Sequence, residues 1–171
     1  MSNAPIIERI ELTAFEIELQ DIVTDRAGFG LSYQPGTRGT HTRFGVRIIS
    51  DTGVVGEYIP PRGRTNVIMT ASEALSYSLI GKPALQREKH YRTMRKLTKH
   101  IGEVGIGAID IALWDLAGKH QGVSVSEMLG GYRERLPAYA STIGGDRLKG
   151  GLSSPEAYAD FAEQCLELGY K

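Results

Sequence analysis

From Ile6 to Leu19 apolar and polar residues alternate, with Ile10 and Leu12 on one side and Phe15, Ile17 and Leu19 on the next. An alternation that slips by one residue near Thr13-Ala14 predicts a strand with a bulge there. Residues 21–40 follow neither the strand nor the helix period and hold Gly28, Gly30, Pro35, Gly36 and Gly39. Unpatterned segments of that length in compact domains are usually functional or disordered, which makes this one a mobile flap. Thr42, Phe44, Val46 and Ile48 then restore strict alternation, and Asp51-Thr52-Gly53 turns the chain into Val54–Ile59. That combination predicts a hairpin.

Helical spacing follows a second loop, Pro60-Pro61-Arg62-Gly63-Arg64. Ile68, Ala71, Leu75 and Leu79 share one face of a helix ended by Gly81 and Pro83, and a second helix runs from Leu85 to about Leu97. The third, residues 106–119, is apolar nearly all round: Ile106, Ile109, Leu113 and Leu116 form one stripe, Ala108, Ile111, Ala112 and Trp114 much of the rest. A helix of that kind is buried on more than one side, so it reads as a seam between two packed bodies. Ser124 and Glu127 have the spacing of a capping box over a short helix that stops at Gly130-Gly131.

The pattern then changes. Leu136–Thr142 reads as a short strand, residues 143–153 as a Gly-rich loop, and Ser154-Pro155 as a helix start. Tyr158, Phe161, Ala162, Cys165 and Leu168 form that helix's buried stripe. Strand, loop and crossover helix imply a parallel partner strand, and residue 171 falls where that partner would begin.

Composition narrows the picture. With 41% hydrophobic residues the chain can bury a core, and 20 basic against 20 acidic residues give no global attraction to nucleic acid or an anionic membrane. One cysteine cannot form an intrachain disulfide, and no apolar run reaches the roughly 20 residues of a membrane span. We expect a soluble, cytoplasmic protein. His41, His90, His100 and His120 lack zinc-ligand spacing, and Gly28-Phe29-Gly30 has no third glycine placed to cradle a phosphate. Asp115 and Lys119 read as a plain i,i+4 pair, worth roughly 0.2 to 0.5 kcal/mol.

Three segments carry a resemblance: Gly-Ile-Gly-Ala-Ile-Asp-Ile-Ala-Leu-Trp-Asp-Leu-Ala-Gly-Lys at 105–119, Met-Leu-Gly-Gly at 128–131 and Leu-Glu-Leu-Gly-Tyr-Lys at 166–171. With them the whole chain resembles the amino-terminal part of the enolase superfamily, in the mandelate racemase and muconate lactonizing enzyme subgroup. The resemblance implies an α+β capping domain over residues 1–133, an antiparallel meander followed by helices. It implies that residues 134–171 open a (β/α)8 TIM-like barrel, incomplete here because such a barrel takes about 250 residues. It also implies abstraction of the proton next to a carboxylate, with Mg²⁺ stabilising the enolate. The family's bases and metal ligands sit on later barrel strands, so the resemblance assigns no catalytic residue and no Mg²⁺ ligand in this chain, and Lys171 is not read as a base.

What it assigns are the lid and substrate-selecting loops, matching residues 21–40 and 58–65. Arg26, Arg38, Arg62 and Arg64 can fork onto a substrate carboxylate, and Tyr33 and His41 can hydrogen bond to a polar or polyhydroxylated acid. Ser141, ending the first barrel strand, is the seventh candidate. The expected partners are a small carboxylic acid and the rest of the barrel, with self-association a further way to cover the seam. The activity implied is that of a sugar-acid dehydratase, racemase or cycloisomerase. A capping or interaction domain without catalysis, or a half-enzyme completed by a second chain, is the rival. A nucleic-acid binder using the basic helix ranks third, because that helix lacks stacking aromatics beyond Tyr91.

Overall fold

The computed structural model describes residues 4–24, 30–141 and 151–170. Three strands, β1 (Ile7–Thr24), β2 (Leu31–Ser50) and β3 (Val55–Tyr58), form one sheet in that order. Five helices follow: α1 (Thr65–Ser76), α2 (Arg87–Leu97), α3 (Ile106–Gln121), α4 (Val125–Met128) and α5 (Pro155–Glu167). The chain divides into two compact units, residues 1–16 with 42–132, and residues 17–41 with 133–171.

In the first unit the alternation of β2 buries Phe44, Val46, Ile48 and Ser50 and leaves Arg47 exposed, as a strand with one face on a core requires. Gly53 takes φ +79° at the predicted turn, and β3 returns antiparallel with Ile48 opposite Gly56 and Val46 opposite Tyr58. The core joins Ile7, Phe44, Val46 and Ile48 to Leu75, Leu79, Met94, Ile109, Leu113 and Leu116. At its centre is α3, packed against β3, α1, α2 and α4.

The expected seam is therefore mostly covered within this unit. Ala108 and Ala112 are buried, and Trp114 is half-buried beneath the Arg87 guanidinium, 3.8 Å from its ring centroid. Ile111 alone of that side's apolar residues stays open, at 42%. Small residues permit such close packing. A side chain at Gly56 would place its Cβ 2.1 Å from the Ala112 carbonyl oxygen and 2.6 Å from Leu116 Cβ. Gly105, at φ +86°, ends the loop into α3 where a Cβ would lie 2.8 Å from that of Ala71. Beyond α3 the capping box forms as read: Glu127 N–H donates to Ser124 Oγ at 3.1 Å, and Ser124 N–H to Glu127 Oε2 at 2.8 Å.

The second unit corrects three expectations. Residues 21–24 and 31–40 are strand, not a loop. Hydrogen bonding between neighbouring strands needs no side-chain period, and most of these positions are exposed or half-buried, so no buried face imposes one. The irregularity is local: Asp21 takes φ +59° and its carboxylate accepts from Gly36 N–H at 2.7 Å, while β1 runs on through Thr13-Ala14. Residues 136–141, expected as a strand, have no ladder partner among the described residues; a parallel strand forms only beside its neighbour. Thr142 and residues 143–150 lie outside the described residues. Third, α5 begins as predicted, with Ser154 Oγ accepting from Ala157 N–H at 3.2 Å, but its stripe is open. Phe161 and Cys165 are half-buried, Tyr158 and Ala162 exposed, and Leu168 is 78% exposed.

Candidate functional site

The sequence candidates fall into both units. In the second, Tyr33, Arg38 and His41 stand on β2, the first two exposed. Arg38 lines an open groove of about 550 Å³ with Glu18, Leu19, Gln20, Gly39 and Thr40. A guanidinium, a carboxylate, a carboxamide and a hydroxyl thus border one space, the donor and acceptor mix a hydroxylated acid requires. Half-buried His41 has its Nε2 shielded from solvent without a hydrogen-bond partner. Ser141 is exposed in the irregular stretch after Tyr132, and Arg26 lies outside the described residues.

In the first unit Arg62 and Arg64 are exposed on the loop between β3 and α1. That loop turns sharply, with Gly63 at φ +105° and Arg64 at φ +51°, a left-handed conformation costly for a residue with a Cβ. Two bonds from β2's neighbourhood hold it. The Arg43 guanidinium donates to the Pro60 carbonyl, and the Thr65 hydroxyl to the Thr42 carbonyl at 3.0 Å. On its other side Tyr58, Pro60, Pro61 and Arg64 share a largely apolar groove of about 450 Å³ with Ile68, residues 103–105 and Ile111.

Charged residues of α3 do more than sequence suggested. The Asp115 carboxylate accepts from the backbone N–H of Glu57 at 2.7 Å, and the Lys119 ammonium donates to the Val55 carbonyl at 3.0 Å. The i,i+4 pair, itself 2.8 Å apart, therefore satisfies the outer edge of β3, and Lys119 also reaches Glu57 Oε2 at 3.2 Å. The hydrogen bond from Lys119, then its charge, lowers the Glu57 pKa; the bond to Asp115 leads those raising that of Lys119. The signal available in sequence was the short strand Val55–Tyr58, an edge whose backbone groups need partners. Asp110 is different: burial first, and Glu88 next, raise its pKa against the charge of Arg87 and a hydrogen bond from Trp114.

Other polar side chains are committed structurally. Arg95 of the basic helix pairs with Glu103 at 2.8 Å, and His90 is buried with Nε2 2.8 Å from the Pro83 carbonyl. Among the described residues no three His, Cys, Asp or Glu side chains converge to hold a metal ion. The described residues do not fit a Mg²⁺ site. No described helix is long and apolar enough to cross a membrane.

A three-stranded antiparallel sheet backed by helices, with α3 at its centre and polar groups displayed on its hairpin, defines a capping domain of the enolase superfamily. The mandelate racemase / muconate lactonizing enzyme N-terminal domain matches residues 19–130, and the chain belongs to that family. It is 39% identical over 104 residues to a D-galactarolactone cycloisomerase of Agrobacterium fabrum, covering 56% of this chain and 27% of that protein. To a D-galactonate dehydratase of Variovorax paradoxus it is 36% identical over 108 residues, 60% of this chain and 28% of that one. The fold is similar to that of D-glucarate dehydratase from Agrobacterium tumefaciens, a structure complexed with magnesium, with a TM-score of 0.79 and 28% identity over 98% of this chain and 44% of that one. The matched part thus spans little more than a quarter of the two curated relatives' length.

Proposed function

We propose that this chain is the capping portion of an acid-sugar dehydratase or cycloisomerase and supplies its lid and substrate-selecting segments. In this reading residues from 134 open the barrel, and the barrel strands that follow carry the bases and the Mg²⁺ ligands; bound Mg²⁺ would stabilise the enolate formed when the proton beside the carboxylate leaves. Arg26, Arg38, Arg62 and Arg64 engage the substrate carboxylate. Tyr33, His41 and Ser141 address its hydroxyls. Relatives named for galactarolactone and galactonate support this class of substrate.

The observation that carries the reading is the polar groove along the hairpin, where Arg38 stands exposed beside Gln20 and Thr40. An exposed arginine bordering an open groove has little structural work, so its replacement separates binding from folding. In the complete enzyme, Arg38→Met is expected to raise KM for the sugar acid about tenfold or more, as loss of a charge-assisted hydrogen bond does, with Tm within about 1 °C of the parent. Unchanged KM for every sugar acid turned over would remove the hairpin from the site.

A further inference from the structure

We infer that Arg43 is a positioning residue for the loop at 60–64, setting where Arg62 and Arg64 are presented to the substrate. The inference rests on the proposed function for its consequence in catalysis, but its physical basis is independent. A loop is placed either by packing or by hydrogen bonds. Here Pro60, Pro61 and Arg64 line an open, largely apolar groove together with residues 103–105 and Ile111, so packing does not fill the space beside the loop. The segment also carries two consecutive positive φ values, at Gly63 and Arg64, a conformation that persists only where surrounding contacts enforce it.

Two such contacts come from adjacent residues of β2. Arg43, half-buried, crosses 17 positions of sequence to donate its guanidinium to the Pro60 carbonyl, at the loop's first residue. The Thr65 hydroxyl donates to the Thr42 carbonyl at 3.0 Å, one residue past the loop's end. Both ends are thus tied to neighbouring β2 residues, whose strand is anchored in the core by buried Phe44 and Val46. Pro60, itself buried, fixes its own φ, so a bond to its carbonyl fixes the direction in which the chain leaves β3. A guanidinium donor makes this a charge-assisted hydrogen bond and the stronger of the two ties.

The test uses two readouts. Brief trypsin digestion of the full chain, followed by mass spectrometry, measures cleavage after Arg62 and Arg64 relative to cleavage after exposed Lys99 in the same digest, which cancels global unfolding. Arg43→Met is expected to raise that ratio about tenfold, because proteolysis follows the local opening equilibrium and a charge-assisted hydrogen bond holds it closed. Arg43→Lys, which keeps a cationic donor, is expected to fall between Met and wild type, and Thr65→Val to act in the same direction more weakly. In the active enzyme Arg43→Met should raise KM for the sugar acid severalfold while leaving kcat within about twofold, with Lys restoring part of the loss. An unchanged cleavage ratio in Arg43→Met overturns the inference. A raised ratio with unchanged KM keeps Arg43 as the tie and removes the 58–65 loop from substrate selection, which would sink that part of the proposed function.

Discussion

Asp110 shows how a residue's surroundings reverse an ordinary expectation. Its carboxyl is half-buried on α3, near Glu88 and Arg87, and it accepts a hydrogen bond from Trp114. Burial and the neighbouring Glu88 outweigh Arg87 and the indole bond, so its pKa lies above the ordinary 3.8. A carboxyl with a raised folded-state pKa holds its proton more tightly when folded. Its contribution is most favourable below the unfolded value and is lost as pH rises through the folded one. Asp110→Asn keeps an acceptor for the indole and deletes the charge. The variant is expected to melt above wild type at pH 7, the gap closing as pH falls toward 3.5. A Tm below wild type at pH 7 that recovers as pH falls toward 3.5 would mean that the charge holds Arg87 over Trp114 and outweighs its own desolvation. Spacing on a helix could show Asp110 and Asp115 pointing apart, but not that one is desolvated and the other braces a strand edge. Those facts depend on Glu57 and Glu88, which lie far away in sequence.

At the scale of elements, what was legible tracks where one face is buried. The alternation at 42–48 predicted that part of β2 correctly because Phe44, Val46 and Ile48 all meet the core. The strand segments 21–24 and 31–40 were not legible, since largely exposed residues satisfy a ladder without announcing it. α3 was recognised as the organising helix, yet its second side is covered mainly by its own unit, through small Ala108 and Ala112 and through Arg87 over Trp114. The sheet can come that close because Gly56 has no side chain. Gly56→Ala would drive a methyl into the Ala112 carbonyl and Leu116, backbone and core atoms that cannot step aside. The expected cost is about 2 to 3 kcal/mol, read as a lower denaturant midpoint at an unchanged slope. A loss below about 0.5 kcal/mol would show that β3 can lift from α3, and with it the Asp115 and Lys119 contacts to its edge.

For the whole molecule, the capping fold and the family were readable from three short segments, and the match over residues 19–130 confirms the family. Of the expected barrel unit, the described residues show the helix α5 but no strand at 136–141. A strand at 136–141 and a buried stripe on α5 both need a neighbouring parallel strand, and the described residues include none. The same holds for the site: the proposed lid segments are in this chain, while a metal site needs converging carboxylates that the described residues lack. In the proposed function, chemistry is completed by barrel strands beyond the described residues. The most direct measurement is turnover by the coding region extended to the length of its relatives, with and without Mg²⁺, against aldonic acids, aldaric acids and their lactones. We predict Mg²⁺-dependent conversion of at least one sugar acid or lactone, abolished by chelation and restored by adding the ion back. A well-folded extended protein that converts none of them with Mg²⁺ present would contradict it.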